Sequence, residues 1–273
     1  MDLKEIFRRN ISQIVAITEK NVKFSLRFKF NLIISFIIPI ISIIMPLILM
    51  GRLFDFNTQY GPWSADNFII YQFTAYNITL LRMIITDYPK LFAQEKYWET
   101  LPALIIAPFK RINLVFGIFL SNIVLLSIPF TIFFVLSCIL YPILPLTILF
   151  VLTLYFLIAL IFSGIGVIIG VFAISKEGFL GIFNFLITFI FWFSCISYPF
   201  EVFPGIIQSI IQINPLYYIF DILRISWIEN DVVLSISMHY LNFLIITLCA
   251  ISLPLIGVYI FNKIYRKYGI VGY

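Results

Sequence analysis

Long apolar runs separated by short polar breaks set the pattern of this chain. Six runs, at about 30–50, 67–86, 113–140, 143–174, 178–199 and 240–261, approach or exceed the ~20 residues a helix needs to cross a bilayer. The second is the most polar, carrying Gln72, Thr74, Asn77, Thr79 and Arg82. The fourth is long, so it tilts, protrudes or begins irregularly around Pro142 and Pro145. Ahead of the first run, Leu3, Ile6, Phe7, Ile11, Ile14 and Val15 share one helical face of residues 3–20. Lys4, Glu5, Arg8, Arg9, Ser12, Gln13, Glu19 and Lys20 occupy the other, which predicts an amphipathic helix lying in the headgroup plane. Residues 22–30 read as an interfacial lead-in to the first crossing. Before the last run, Ile206, Ile207, Ile210 and Ile211 oppose Gln208, Ser209 and Gln212. That stretch is too short to cross, so it predicts a re-entrant helix, entered through Pro199 and Pro204 and stopped at Asn214-Pro215. The expected fold is an all-α polytopic bundle of six transmembrane helices in one domain. Residues 1–29 lead in, 30–261 form the bundle and 262–273 form a tail.

Composition narrows the class. Hydrophobic residues make up 62% of the 273 positions and charged residues 11%, with a mean hydropathy of +1.07. Soluble domains carry about 25% charged residues, so this is an integral membrane protein with no room for a separate soluble catalytic domain. The basic residues assign its sides. Fifteen of the 18 Lys and Arg precede the first run, fall within 87–112, stand at Lys176 or lie in the tail. Only Arg52 and Arg224 fall on the other side, and Arg82 lies inside a run. The positive-inside rule then places both termini in the cytoplasm, makes residues 200–239 the long external loop and implies a multi-pass plasma-membrane protein. No cleavable signal peptide is apparent, and nothing supports nucleic-acid binding. Cys138, Cys195 and Cys249 lie in apolar runs and read as packing residues rather than a disulfide framework. His239 has no second His or Cys nearby, so neither a metal site nor a catalytic residue is expected.

One segment contradicts the lipid-compatible character of the rest. Residues 87–112 are charged, aromatic and punctuated by proline, and they need water or a protein partner. Tyr97 and Trp98 are large amphipathic anchors of the kind enriched at binding hot spots. Glu95, Lys96 and Glu99 are placed to fix register by charge. Pro89 and Pro108 bracket a short helix that would act as a rigid lever; the plainer reading is a solvated loop with interfacial aromatics. Ser175-Lys176-Glu177 offers a second, smaller contact. No G-x-x-x-x-G-K-[ST] cradle occurs, so no cofactor is expected on this chain, and any ATP-driven work must arrive from another polypeptide. Gln72, Thr74 and Asn77 in the second run, and Asn184, Thr188 and Ser194 in the fifth, are candidates for a substrate path. Phe189, Phe191, Trp192 and Phe193 would supply its aromatic lining, against the alternative that they pack or meet lipid. Arg82 is expected to snorkel toward the near interface. Gly164, Gly166 and Gly170 are expected to permit close helix packing.

Two stretches together resemble the permease subunits of ATP-binding-cassette exporters of the type-2 class. One is Glu95 through Glu99-Thr100-Leu101, with Leu104-Ile105, Ala107-Pro108, Arg111 and Gly117; Glu99 replaces a usual glycine and Pro102 a common acidic residue. The other is Tyr198-Pro199-Phe200 and Val202-Phe203-Pro204, then Asn214-Pro215-Leu216-Tyr217-Tyr218 with Asp221 and Arg224. The resemblance implies that Glu95, Tyr97, Trp98, Glu99, Thr100, Leu101 and Lys176 couple the chain to a separate ATPase that holds ATP and Mg. It also implies a second permease copy, with a drug, lipid or glycan moving between the two. Two other classes stay open: an intramembrane lipid-modifying enzyme, for which Asp221, Glu229 and Asp231 are the only external acidic group, and an ion-coupled carrier.

Overall fold

The computed structural model describes residues 3–56, 59–98, 110–175 and 179–268. Helix α1 (Leu3–Arg27) is followed by α2 (Lys29–Phe56), a hairpin of β1 (Gln59–Tyr60) and β2 (Trp63–Ser64), and α3 (Phe68–Tyr97). Then come α4 (Arg111–Leu140), α5 (Pro145–Ser175) and the shorter α6 (Phe179–Trp192). A 3₁₀ turn (Phe200–Val202) precedes α7 (Gly205–Ile213), α8 (Pro215–Glu229), α9 (Val232–Met238) and α10 (Tyr240–Tyr268). The all-α polytopic expectation holds, with the antiparallel hairpin as its one β element among the described residues. Gly61 makes that hairpin's turn at φ 61°, a conformation costly for a residue with a Cβ.

Helices α2, α3, α4, α5 and α10 are each long and apolar enough to cross a membrane, and α7 with α8, bent by 95°, passes the same test as a pair. The expected crossing at 178–199 is different in kind. Its helix α6 has 14 residues and rises only about 21 Å, against a hydrocarbon core of ~30 Å. The chain then leaves the helix as turns and bends through 193–198. The expected single re-entrant helix is likewise two, α7 and α8, and α8 lies inside the bundle with Ile219, Phe220, Leu223 and Trp227 buried. The lead-in at 22–30 is helical: α1 runs to Arg27, and only Phe28 separates it from α2.

The most polar of the predicted crossings, α3, is also among the most enclosed: Tyr71, Gln72 Nε2, Thr74 and Tyr88 donate to protein acceptors there, while Gln72 Oε1 and Asn77 Oδ1 are buried with no hydrogen-bond partner among the described residues. Close approach to α5 depends on glycine. A Cβ at Gly166 would stand 2.8 Å from Tyr88 Cδ2 and 3.0 Å from the Ile84 carbonyl oxygen; one at Gly170 would stand 2.7 Å from Phe92 Cδ2. Gly164 faces α10 instead, where a Cβ would meet the Leu253–Pro254 backbone at 2.5 Å. Tyr88 pins three helices together: its hydroxyl bonds the Val115 carbonyl at 2.9 Å and Ser163 Oγ at 2.7 Å. The outer faces are lipid-like. On α4, Phe116, Leu120, Val124, Ile128, Ile132 and Ile139 form an exposed stripe at helical spacing.

Candidate coupling end and broken crossing

At its charged end α3 continues past the bundle. Pro89 lacks the N–H that would bond the preceding turn, yet the helix passes through it to Tyr97, and the Trp98 N–H closes on the Gln94 carbonyl at 3.0 Å. Packing against Gly170 holds Pro89 in the helix, so the lever expected to start there is the distal part of α3 itself. Glu95 is turned inward, 9% exposed, in an ion pair with Lys20 of α1. Trp98 lies edge-on to Phe24 of α1, ring centroids 5.5 Å apart, and is 47% exposed; Tyr97 is 85% exposed. Glu99, Thr100, Leu101, Pro108 and Lys176 lie outside the described residues.

Helix α1 has three faces rather than two. Ile6, Asn10, Gln13, Ile14, Ile17, Thr18 and Asn21 turn toward protein. Asn113 Nδ2 of α4 donates to Gln13 Oε1 at 2.7 Å and Asn10 Oδ1 at 3.2 Å, and Thr18 Oγ1 donates to the Gly117 carbonyl at 3.2 Å. A Cβ at Gly117 would come within 2.7 Å of Ile17, so this seam is tight. Phe7, Ile11, Val15 and Leu26 form a separate, exposed apolar face, and the charged residues form the third. Such a helix satisfies bundle, lipid and water together.

At the hairpin end, the turn after α6 leaves a row of backbone carbonyls without helical partners, at a depth where unpaired polar groups are costly. Side chains from α3, from α8 and from the junction between α7 and α8 take them up. Asn214 Nδ2 donates to the carbonyls of Ile190 at 2.7 Å and Phe193 at 2.9 Å, while Asn214 Oδ1 caps α8 through the Leu216 N–H. Arg224 Nη1 and Nη2 donate to Cys195 and Ile196 at 2.7 and 2.5 Å, and its Nε to Thr74 Oγ1 at 3.2 Å. The Tyr71 hydroxyl donates to Cys195 and, at 2.7 Å, to Tyr198; Gln72 Nε2 donates to Ser197 at 2.8 Å. Cys195 adopts φ 53°, a left-handed conformation within the turn that ends α6. The Arg224 guanidinium lies 3.6 Å from the centre of the Tyr71 ring. Arg224 is 2% exposed, so its placement in an external loop is corrected: it is the interior clasp of the crossover.

The sequence model of the ABC-2 type transporter family matches residues 12–227, from inside α1 to Trp227 in α8. The chain belongs to that family. No curated protein matches it. As an ABC-2 type transporter domain it is a membrane-spanning transport subunit rather than a catalytic one, of a kind that normally pairs with an ABC ATPase.

Within this ABC-2 domain the candidate path residues divide. Gln72 and Asn77 are buried inside the chain's own bundle, whereas Asn184, Phe189 and Trp192 are exposed on α6. Thr188 Oγ1 accepts from Arg82 Nη2 at 3.0 Å, and the guanidinium lies 4.4 Å from the Phe191 ring centre. Arg82 therefore reaches sideways to α6 instead of snorkelling. Of the second motif, Asn214, Pro215 and Arg224 build the crossover, Tyr217 stacks on Phe200 at 5.3 Å, and Asp221 is half-buried. The acids Glu229 and Asp231 serve the fold: Asp231 caps α9, and Glu229 accepts from Ser235 and stands 3.5 Å from His239. Sequence reasoning missed Lys20 and Phe24 as partners of the α3 end, and Tyr71 as a member of the clasp. Only Arg224 carried a signal, a lone cation that needed acceptors.

Proposed function

We propose that this chain is the membrane half of an ATP-driven exporter. Two six-crossing subunits work with two copies of a separate ATPase, with both termini in the cytoplasm of a plasma-membrane complex. The ATPase carries the ATP and Mg; closure of its subunits presses on the α3 end, and the cargo is a drug-like molecule, a lipid or a glycan. The observation that carries this reading is the exposed pair Tyr97 and Trp98 at the tip of a helix whose remainder is clamped in the bundle. Force applied there is transmitted along α3 to α5 through the glycine contacts, and to α1 through Lys20 and Phe24. The outward direction is supported by the resemblance of the 95–117 and 198–224 motifs to those of exporters.

Co-purification tests it. The chain should retain a Walker-motif ATPase, and Trp98→Ala with Tyr97→Ala should weaken the complex by roughly tenfold or more, the range of an aromatic hot spot. Stable expression of both variants with ATPase retention unchanged would remove the coupling role.

A further inference from the structure

Arg82 sits near the middle of a crossing helix and is used far less fully than the other intramembrane arginine. Arg224 places three nitrogens on protein acceptors. Arg82, with five N–H donors, makes one hydrogen bond, to Thr188. The three ion pairs among the described residues involve other groups, so no described carboxylate pairs with it; Asp87, next to Thr86, lies within electrostatic reach of Lys90. Nor is it sealed off, since it is half-buried on the more open side of α3. Helical spacing puts Thr79, Thr86 and Lys90 on that side, with Thr86 and Lys90 exposed. The strip thus runs from Lys90, near the charged end, up to Arg82. Across from it, one turn before Thr188, Asn184 is exposed on α6, as are Phe185, Phe189 and Trp192.

A cation with spare donors, flanked by hydroxyl and amide groups and bordered by exposed aromatics, suits a ligand that is anionic at one end and apolar at the other. We propose that Arg82, with Lys90 and Thr86 on α3 and Asn184 on α6, docks the phosphate-type head group of an amphiphilic cargo whose tail lies on Phe185, Phe189 and Trp192. This deepens the exporter reading and rests on it for the word cargo; the binding site itself does not.

The test uses the purified full-length chain in neutral dodecyl maltoside micelles, titrated with dodecyl phosphate and, separately, dodecyltrimethylammonium. Saturable binding of the phosphate and none of the ammonium compound is expected. Arg82→Gln should raise the dissociation constant by about tenfold or more, as expected for lost charged hydrogen bonds, and Arg82→Lys should retain most of the affinity. Lys90→Gln, at an exposed position, should weaken binding by about threefold, and it keeps the test decisive should Arg82→Gln fail to fold. Equal binding by wild type and the folded variants, or equal affinity for the cationic amphiphile, overturns the site. A second arm reconstitutes the permease with its ATPase in liposomes with and without phosphatidylglycerol. ATP-dependent movement of dodecyl phosphate in both, lost in Arg82→Gln, supports cargo. Competition by phosphatidylglycerol without ATP-driven movement of dodecyl phosphate would assign the site to a resident lipid and overturn the cargo proposal.

Discussion

Replacing Arg224 with methionine keeps much of the side-chain volume and removes the clasp. Three hydrogen bonds disappear, but the losses are unequal. The Cys195 carbonyl keeps the Tyr71 hydroxyl, and Thr74 keeps its own bond to the Tyr71 carbonyl at 2.8 Å. The Ile196 carbonyl is left with no described partner. Orphaning one buried acceptor costs about 1–3 kcal/mol, and each of the two hydrogen bonds from a charged group to a carbonyl contributes about 1.5–3 kcal/mol. Relief from burying an arginine that forms no direct ion pair with a described carboxylate returns several kcal/mol, so the net loss should be about 2–4 kcal/mol. At roughly 2–4 °C per kcal/mol for a domain of this size, Tm in detergent should fall by about 5–15 °C. The chemical readout is sharper. Cys195 is 3% exposed and bonded through its carbonyl to the clasp, so in a Cys138→Ala/Cys249→Ala background a membrane-permeant maleimide should label it slowly in the parent and rapidly in Arg224→Met. Unchanged labelling with Tm within a degree of the parent would refute the claim that Arg224 holds the crossover closed.

Asn214→Ala removes two donors to α6 and the cap of α8 together, and should cost about 2–3 kcal/mol by thermal unfolding, more than the ~1 kcal/mol of a simple cap. Gly166→Ala forces a Cβ against Tyr88 and Ile84 and should destabilise by about 1–3 kcal/mol, whereas Gly51→Ala, with nothing within 4 Å, should be nearly silent in the same melt. The Lys20–Glu95 pair, half open to solvent on the lysine side, should show a coupling of about 0.5–1 kcal/mol in a double-mutant cycle. Exchanging the two charges should restore the protection of α1 from limited proteolysis that either single reversal removes.

What the sequence determined by itself was local and periodic. Apolar runs near the length of the hydrocarbon core specify where α2, α3, α4, α5 and α10 cross, because in lipid only a helix satisfies every backbone group within its own segment. The three-four spacing of Ile206, Ile207, Ile210 and Ile211 likewise gave the short helix α7. The tertiary structure alone decided where those segments stop and which polar groups they share. Nothing around Trp192 announces that α6 ends there, since its freed carbonyls are satisfied by Tyr71 and Gln72 from more than 100 residues earlier and by Asn214 and Arg224 from the following helices. Glu95 reads as a solvent-facing partner for another protein until Lys20, 75 positions away, is brought beside it. Hydrogen bonds and charges at low dielectric act strongly but only over a few ångströms, so their pairing depends on how the helices pack, which a one-dimensional pattern does not encode.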